Sequence, residues 1–270
     1  MSEVALQGLL VDSHAHVWGP DMEWSPTAWA RPDYTYTAED FIADMDSCGV
    51  SYGVIAAASL FGTYSGYTIE ALRRYRRLRA TAIVDPTISL PDLQALRDEG
   101  IVGIRLQWFL LDPLPDLGGA EFQALCRQLR DLDMHIHLNI EGDRLGAVSR
   151  RLAETGVKLV IDHYGWHDFG PRLEAASYRE MLRLMEGGNV WVKLSSGFRR
   201  PDAELPAEYT RDLLARFGPE RLLWGTDSPF VGHEGGTSYA REVAALHHAV
   251  PEAAIRDALG KSAYDFYFAR

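Results

Sequence analysis

One pattern recurs eight times along the chain: a short apolar run rich in β-branched residues, then a turn, then an amphipathic stretch. Strands that alternate with helices in this way pair in a parallel sheet with right-handed crossovers. The predicted strands are 9–11, 53–58, 80–84, 101–106, 135–140, 158–161, 190–194 and 221–224. The predicted helices are 38–48, 66–79, 90–99, 119–132, 143–155, 174–187, 205–217 and 237–249.

Eight such units in 270 residues, about 34 residues each, predict a (β/α)8 TIM barrel with its active site at the C-terminal ends of the strands. The alternative is a doubly wound open sheet, which usually carries a glycine-rich phosphate-binding loop after its first strand. Here the first strand leads into Asp12-Ser-His-Ala-His16 without such a loop, so the barrel is favoured. No linker or change in composition divides the chain, and residues 1–270 are expected to form a single domain.

The charge balance limits the kinds of partner. The chain has 27 Lys and Arg residues against 38 Asp and Glu residues, a formal net charge of −11. Nucleic acid is therefore not expected as a partner, because phosphate binding needs clustered basic side chains. The arginine-rich stretch 73–79 has helical spacing and is interpreted as a solvated face.

Two further features concern the compartment. The apolar runs are too short to cross a membrane, and the N-terminus lacks the pattern of a secretory signal. Cys48 and Cys126 lie in predicted helices and are expected to be free, buried thiols, which suits a reducing compartment. These features predict a cytoplasmic protein that binds a small molecule and no membrane, as a monomer or a homo-oligomer.

Polar residues follow three of the predicted strands. His14 and His16 end the first strand and share a face, because side chains alternate along a strand. His163 follows the sixth strand, and Asp227 follows the eighth, which neighbours the first in a closed barrel. A buried carboxylate must be paired or hydrogen-bonded. Each signal is weak alone, but together they predict one catalytic site at the barrel mouth.

Other polar residues are candidates for binding substrate. Arg105, in the fourth strand, suits a carboxylate or carbonyl oxygen. Asn139 is expected to reach the site from the fifth strand, with His137 one layer deeper as an interior histidine. Arg199 lies near the rim after the seventh strand, whereas Lys193 is placed too deep to be a ligand.

Four motifs, in order, resemble a known family. They are Val11-Asp-Ser-His-Ala-His-Val-Trp-Gly-Pro20, Val160-Ile-Asp-His-Tyr-Gly165, Asn189-Val-Trp-Val-Lys-Leu-Ser195 and Leu223-Trp-Gly-Thr-Asp-Ser-Pro229. The resemblance is to the amidohydrolase-related TIM-barrel hydrolases. It is nearest to their lactonase branch, which includes the 2-pyrone-4,6-dicarboxylate hydrolases and the fuconolactonases. It extends from about residue 8 to the C-terminus.

This resemblance implies an enzyme that opens a lactone or related cyclic ester of a small carboxylate or sugar acid with base-activated water. Asp227 matches the general base. Arg105 matches the strand-four arginine that holds the substrate, and Arg199 matches an arginine after strand seven. The ester carbonyl, or a metal ion, is then held by three histidines: His14, His16 and His163.

The resemblance leaves the metal open. His14, His16, His163 and Asp227 would supply four nitrogen or oxygen ligands to one Zn²⁺, whereas the pyrone-dicarboxylate branch works without metal. A bridging carboxylate or lysine is missing from the fourth strand, so a site with two metal ions is not expected. The cofactor is therefore none, or one divalent ion for each chain.

Some residues of this chain differ from those of the lactonase branch, and these differences affect the expected charge of the substrate. Asn139 stands where the pyrone-dicarboxylate enzymes have a tyrosine, and Trp166 and His167 stand where they have an arginine. The segment 107–111 also lacks their second strand-four arginine. With fewer cations, the substrate is expected to carry less charge than a dicarboxylate.

Two other functions stay open on the same barrel. One is a metal-dependent decarboxylase or amide hydrolase. The other, from a different class, is a ligand-binding barrel without catalysis, although the joint presence of the base and the three histidines counts against it.

Overall fold

Eight parallel strands surround one axis in chain order, as seen in a computed structural model that describes residues 8–109, 111–166, 172–200, 202 and 204–269. Each strand from the first to the seventh pairs in parallel with the next one along the chain. The strands are β1 Val11–Ala15, β2 Tyr52–Ile55, β3 Leu78–Ala82, β4 Ile101–Gln107, β5 His135–Asn139, β6 Lys158–Ile161, β7 Val190–Leu194 and β8 Leu222–Trp224. The predicted (β/α)8 barrel is confirmed.

Helices follow the strands on the outside. They are α1 Ala38–Ser47, α2 Gly66–Arg74, α3 Leu90–Asp98, α4 Ala120–Asp131, α5 Gly142–Glu154, α6 Ala176–Glu186, α7 Leu205–Phe217, α8 Tyr239–Ala249 and α9 Ala253–Tyr267. Capping fixes several of their starts. The Thr37 side chain accepts a hydrogen bond from the backbone N–H of Asp40, and Ser89 does the same for Asp92. These helices match the predicted segments, except that α9 was not predicted and α2 ends five residues before position 79.

Backbone contacts between β1 and the end of β8 close the barrel. Ala15 bridges to Ser228 in parallel. The N–H of Asp227 donates to the carbonyl of His14 at 2.7 Å, and the N–H of His16 donates to the carbonyl of Ser228 at 2.8 Å. The segments that carry the two histidines and the aspartate are therefore hydrogen-bonded neighbours, as the barrel prediction requires.

A bulge in β1 sets which side chains face inward. Val11 and Asp12 lie opposite Tyr52 and Gly53, but Ala15 lies opposite Ile55, so β1 has an extra residue. The bulge lets Val11 pack in the barrel floor while His14 and His16 also face inward. The strand reaches further than the predicted run 9–11, because its polar residues continue the pairing with β2.

Helix α9 plugs the N-terminal end of the barrel. Its Phe266 and Tyr267 pack into an apolar layer that single side chains from five strands provide. That layer consists of Val11, Val54, Val102, Val160 and Leu223. Above it, the Tyr267 hydroxyl lies 3.2 Å from Nε2 of His137. The floor is therefore largely apolar, and it also contains the buried His135, whose ring centre lies 5.1 Å from that of Phe266.

Glycine at position 225 permits the close approach of β8 and β1. A Cβ there would lie 2.6 Å from the backbone nitrogen of His14. We expect Gly225→Ala to lower the free energy of unfolding by about 1–3 kcal/mol, as overpacking does in a packed interior. Urea unfolding measures the change. Gly235→Ala is the matched control, because a Cβ at that exposed glycine meets nothing within 4 Å. An equal effect of both substitutions would show that the close approach is not constrained.

The arginine-rich stretch 73–79 lies at the surface. Three of its guanidinium groups form ion pairs with Glu99, Glu39 and Asp46. Arg79 belongs to β3 instead, with its guanidinium carbon 4.9 Å from the centre of the Phe268 ring. The predicted solvated face is confirmed for α2, and the strand begins earlier than predicted because Leu78 and Ala80 face the core.

Both cysteines carry free thiols, Cys126 buried and Cys48 only half-buried. Among the helices of the described ranges, none combines the length and the apolar character needed to cross a bilayer.

Helix α8 carries a nearly buried acid, Glu242. The hydroxyl of Thr237 donates to its Oε1 at 2.6 Å. Burial raises its pKa from 4.5 to about 7. Because the folded-state pKa lies above the unfolded value, the folded protein holds the extra proton between these two values, and the unfolding free energy falls as pH rises through that window.

We therefore expect Glu242→Gln to remove this pH dependence. The substitution should stabilise the protein at pH 8, by up to about 3 kcal/mol relative to its effect at pH 4.5, since each pKa unit corresponds to about 1.4 kcal/mol. Urea unfolding of both proteins at the two pH values measures the difference. Glu70→Gln, at an exposed site of α2, is the control. Parallel pH profiles for wild type and Glu242→Gln would refute the expectation.

Candidate active site

The four residues predicted as catalytic meet at the C-terminal end of the barrel. Nε2 of His14 and Nε2 of His16 lie 3.5 Å and 3.3 Å from Oδ1 of Asp227. The His163 ring lies beside that of His14, with 4.7 Å between ring centres. Their catalytic roles stay predictions. Their proximity agrees with their predicted positions at the C-terminal ends of the strands.

The two oxygens of Asp227 have different surroundings. Oδ2 accepts hydrogen bonds from the hydroxyl of Ser196 and from Nε of Arg199, the latter at 3.1 Å. Oδ1 faces the histidines instead. Burial alone would raise the pKa of Asp227, but His163, a hydrogen bond from His16, and Arg199 hold it well below its ordinary value. The carboxylate is therefore ionised near neutral pH, with Oδ1 as its available basic oxygen.

Three backbone positions around this carboxylate adopt left-handed conformations. They follow three successive strands: His163 has φ of 54°, Ser196 of 59° and Asp227 of 64°. Side chains other than glycine seldom occupy this region, and each such residue costs on the order of 1–3 kcal/mol. Strain of this kind clusters at functional sites. Here it turns the side chains at the strand ends toward one another.

A fully buried charge cluster lies beneath the histidines. Nζ of Lys193 is 2.9 Å from Nδ1 of His14, 3.0 Å from Nδ1 of His137 and 3.4 Å from Oδ1 of Asp162. Burial lowers the pKa of Lys193 to about 8, although Asp162 acts in the opposite direction. Burial would raise the pKa of Asp162, but the cations Lys193 and Arg105 hold it well below its ordinary value. The cluster is therefore an ionised pair at neutral pH.

Arg105 belongs to the same cluster. It is 4% exposed, its Nε donates to Oδ2 of Asp162 at 3.1 Å, and its Nη1 donates to the carbonyl of Ala57 at 3.0 Å. Asp162 is its acidic partner, which the residues near Arg105 in sequence did not reveal. Substrate binding by Arg105 stays a prediction, and it competes with this structural ion pair.

Asn139 and Arg199 both reach the rim. The amide nitrogen of Asn139 donates to Oε1 of Gln107 at 2.9 Å, and its Oδ1 accepts from Nε1 of Trp166. Arg199 is bound to Asp227 and remains partly exposed. Substrate binding by both residues stays a prediction. His167, expected to replace a family arginine, lies outside the described residues.

His137 occupies the deeper layer predicted for it. Lys193 contacts its Nδ1, and Tyr267 contacts its Nε2. Burial, with the Lys193 charge, lowers its pKa well below the ordinary value, so the imidazole is neutral. It therefore acts as a hydrogen-bonded interior histidine.

The Asp12 side chain links the backbone segments that carry His14 and Asp227. Its Oδ1 accepts from the backbone N–H groups of His14 and Thr226, each at 3.0 Å, and its Oδ2 accepts from the Thr226 hydroxyl at 2.7 Å. The pKa of this buried carboxyl is raised to about 6, chiefly by burial. It fixes the backbone on both sides of the β1–β8 junction.

Three residues of the site were not predicted from the sequence: Asp162, Lys193 and Ser196. A signal for two of them was present. Asp162 continues the inward alternation of β6 directly after an apolar run. Lys193 is the inward position of β7, and a lysine in a buried strand requires charged or hydrogen-bonding partners. Depth alone was a poor criterion, because the lysine side chain is long enough to reach the histidines. Nothing in the sequence distinguishes Ser196.

An aromatic loop covers one side of the mouth. The stretch 18–36 packs its Trp18 and Trp24 against Phe61, in the loop after β2. The Tyr34 hydroxyl donates to Glu234 in the loop after β8 at 2.9 Å. The stretch 18–36 therefore packs against the loops that follow β2 and β8.

The fit of a divalent metal depends on where the histidines carry their protons. His14, His16 and Asp227 each offer a ligand atom within 4.8 Å of the others, a set that Zn²⁺ accepts. A metal-bound histidine normally donates its other ring N–H to a carbonyl or carboxylate. His16 does so, since its Nδ1 lies 2.7 Å from the Ala56 carbonyl. His14 does not, since the Lys193 ammonium lies 2.9 Å from its Nδ1. With these hydrogen bonds, the set of His14, His16 and Asp227 does not fit a metal ion.

Known proteins share this architecture. A solved structure of a probable 2-pyrone-4,6-dicarboxylic acid hydrolase from Acinetobacter baumannii, with citric acid bound, superposes with a TM-score of 0.91 at 26% identity, over 97% of this chain and 100% of that one. The 4-sulfomuconolactone hydrolase of Rhizobium radiobacter is 28% identical over 82% of this chain and 76% of its own length. The 2-pyrone-4,6-dicarboxylate hydrolase of Comamonas testosteroni is 28% identical over 81% and 76%.

A family model described as amidohydrolase matches residues 11–269. That match includes all eight strands and every residue of the site at the barrel mouth. The chain therefore belongs to the amidohydrolase family.

Proposed function

We propose that this protein is a hydrolase that opens the ring of a lactone with water activated by Asp227. The observation that carries the proposal is the geometry of that carboxylate, with one oxygen fixed by Ser196 and Arg199 and the other facing the imidazoles of His14 and His16. The two curated relatives, each named as a hydrolase of a lactone or pyrone, support the same chemistry. The partner is then a small molecule, and the acidic composition and free cysteines suit a cytoplasmic enzyme.

The reaction needs a base and a site for negative charge. Oδ1 of Asp227 takes a proton from water while the water oxygen bonds to the carbonyl carbon. The carbonyl oxygen becomes an oxyanion, and imidazole N–H groups of His14 and His163 stabilise it by roughly 3–4 kcal/mol for each well-placed donor. The ring C–O bond then breaks, and the leaving oxygen takes the proton from Asp227. The product is a hydroxy acid, and the carboxylate is regenerated.

The charges near the site limit the substrate. Arg105 and Arg199 both already contact carboxylates, Asp162 and Asp227. Together with the family positions at which arginine is missing, this supports a lactone that carries at most one negative charge. Asn139, paired with Gln107 and Trp166, offers a neutral rim to such a substrate.

Release of protons from a panel of neutral, monoanionic and dianionic lactones, followed with a pH indicator, tests the proposal. We expect turnover of a neutral or monoanionic lactone, unchanged by a chelator or by added Zn²⁺. No proton release above buffer for the whole panel would refute the activity. Activity that needs Zn²⁺ would refute the metal-free site and favour the metal-dependent alternatives.

A further inference from the structure

We infer that Lys193 is a positioning residue that fixes the tautomer of His14, so that His14 presents an N–H rather than a lone pair to the reaction centre. The inference deepens the proposed function, on which its catalytic meaning rests. Its basis is the position of one fully buried ammonium group against two histidines and one carboxylate.

The contacts of Nζ give the direction of the hydrogen bonds. An ammonium group has three donors and no acceptor. At 2.9 Å from Nδ1 of His14 and 3.0 Å from Nδ1 of His137, it can only donate to both nitrogens. The other group near Nδ1 of His14 is Oδ1 of Asp162, at 3.5 Å, which is too long for an ordinary hydrogen bond. Nδ1 of His14 is therefore an acceptor, and the proton of its neutral ring lies on Nε2.

His16 differs from His14 at the same ring atom. Its Nδ1 lies 2.7 Å from the carbonyl oxygen of Ala56, which can only accept, so Nδ1 of His16 carries a proton, whereas Nδ1 of His14 accepts from Lys193. The two Nε2 atoms lie 3.3 Å apart, and Nε2 of His16 also lies 3.3 Å from Oδ1 of Asp227. Two histidines that look equivalent in the sequence thus have different chemistry.

The proton on Nε2 of His14 affects both catalysis and metal binding. The N–H on Nε2 of His14 can donate to the substrate carbonyl oxygen as it becomes negative. The same N–H prevents His14 from binding a metal ion through that nitrogen. Lys193 therefore favours hydrogen-bond catalysis and disfavours Zn²⁺ binding by His14, His16 and Asp227.

The tautomers can be read directly in the wild-type protein. In ¹⁵N-labelled protein, two-bond nitrogen–proton spectra of the imidazoles distinguish protonated from unprotonated ring nitrogens, with assignments from His14→Gln and His16→Gln. We expect protonated Nε2 in His14 and protonated Nδ1 in His16. A proton on Nδ1 of His14 would overturn the inference. This measurement needs no substrate, so it is independent of the proposed activity.

A second test uses the metal itself. Lys193→Met removes the donor and lets Nδ1–H of His14 turn to Asp162, so calorimetric titration with Zn²⁺ should show at least tenfold tighter binding than wild type. Arg105→Met is the matched control, because it removes a buried cation beside the same Asp162 without touching a histidine. An equal increase in Zn²⁺ affinity in the two variants would show that loss of a positive charge is the whole cause, and it would contradict the inference. If Lys193→Met does not fold, the wild-type spectrum decides.

Discussion

Asp227→Asn is expected to lower kcat by roughly 10²–10⁴-fold, the usual contribution of a general base. The amide keeps the size of the side chain and still accepts hydrogen bonds from Ser196 and Arg199, but it cannot take a proton from water. Asparagine also tolerates the left-handed backbone that position 227 adopts, at φ of 64°. The melting temperature should therefore move little, and KM should change less than kcat.

Three measurements on this variant separate its possible roles. Steady-state kinetics, bound metal and melting temperature should show lost turnover, no change in metal content and a stable fold. A metal ligand would instead give lower metal content and partial rescue by excess Zn²⁺. A helix cap would cost about 1 kcal/mol of stability with turnover unchanged. Asp85→Asn, at an exposed carboxylate in the loop after β3, is the control expected to retain wild-type turnover. Near-normal turnover of Asp227→Asn would refute its role as the base.

Asp162→Asn is expected to lower the free energy of unfolding by about 3–5 kcal/mol, because it leaves two buried cations without their counter-ion. Oδ2 of Asp162 accepts from Nε of Arg105 at 3.1 Å, and Oδ1 lies 3.4 Å from Nζ of Lys193. Asparagine has the same shape and keeps one acceptor, so packing alone would predict almost no change. The decrease in unfolding free energy therefore reports the loss of the Asp162 charge rather than a change in side-chain volume.

Asp133→Asn is the matched control. It removes the carboxylate that pairs with Lys158 at the surface, where the Asp133 side chain is 52% exposed. Exposed pairs contribute about 0–1 kcal/mol, so the control should remain near wild type in urea unfolding. If Asp162→Asn also costs less than 1 kcal/mol, the buried cluster does not depend on its anion, and Arg105 would be available to bind substrate.

The sequence was sufficient to predict the barrel because its strands and helices follow simple local rules. Runs 158–161 and 190–194 coincide with β6 and β7, since apolar residues buried on both faces of a parallel strand are continuous and end at polar turns. The convergence of His14 and Asp227 followed from closure of the sheet. Helix α9 was missed because its role, to plug the barrel floor with Phe266 and Tyr267, is a tertiary one.

The interior of the site was harder to predict than its rim. Lys193 looked too deep, and Arg105 looked unpaired, because each meets Asp162 only across the barrel. Partners that lie 57 and 31 positions apart along the chain leave no local pattern. The bulge in β1 likewise depends on β2, and no residue type signals it. The alternation of side chains along each strand still predicts that Arg105 and Lys193 face the barrel interior, because that direction depends on local backbone geometry alone.

The proposed function rests on the claim that water attacks the ester carbonyl of a lactone at Asp227. Reaction of a substrate lactone in H₂¹⁸O, with analysis of the product by mass spectrometry, tests that claim. Attack at the carbonyl predicts one ¹⁸O atom in each product molecule, located in its new carboxylate. Consumption of the lactone without ¹⁸O incorporation, as in an isomerisation or a decarboxylation, would contradict the claim.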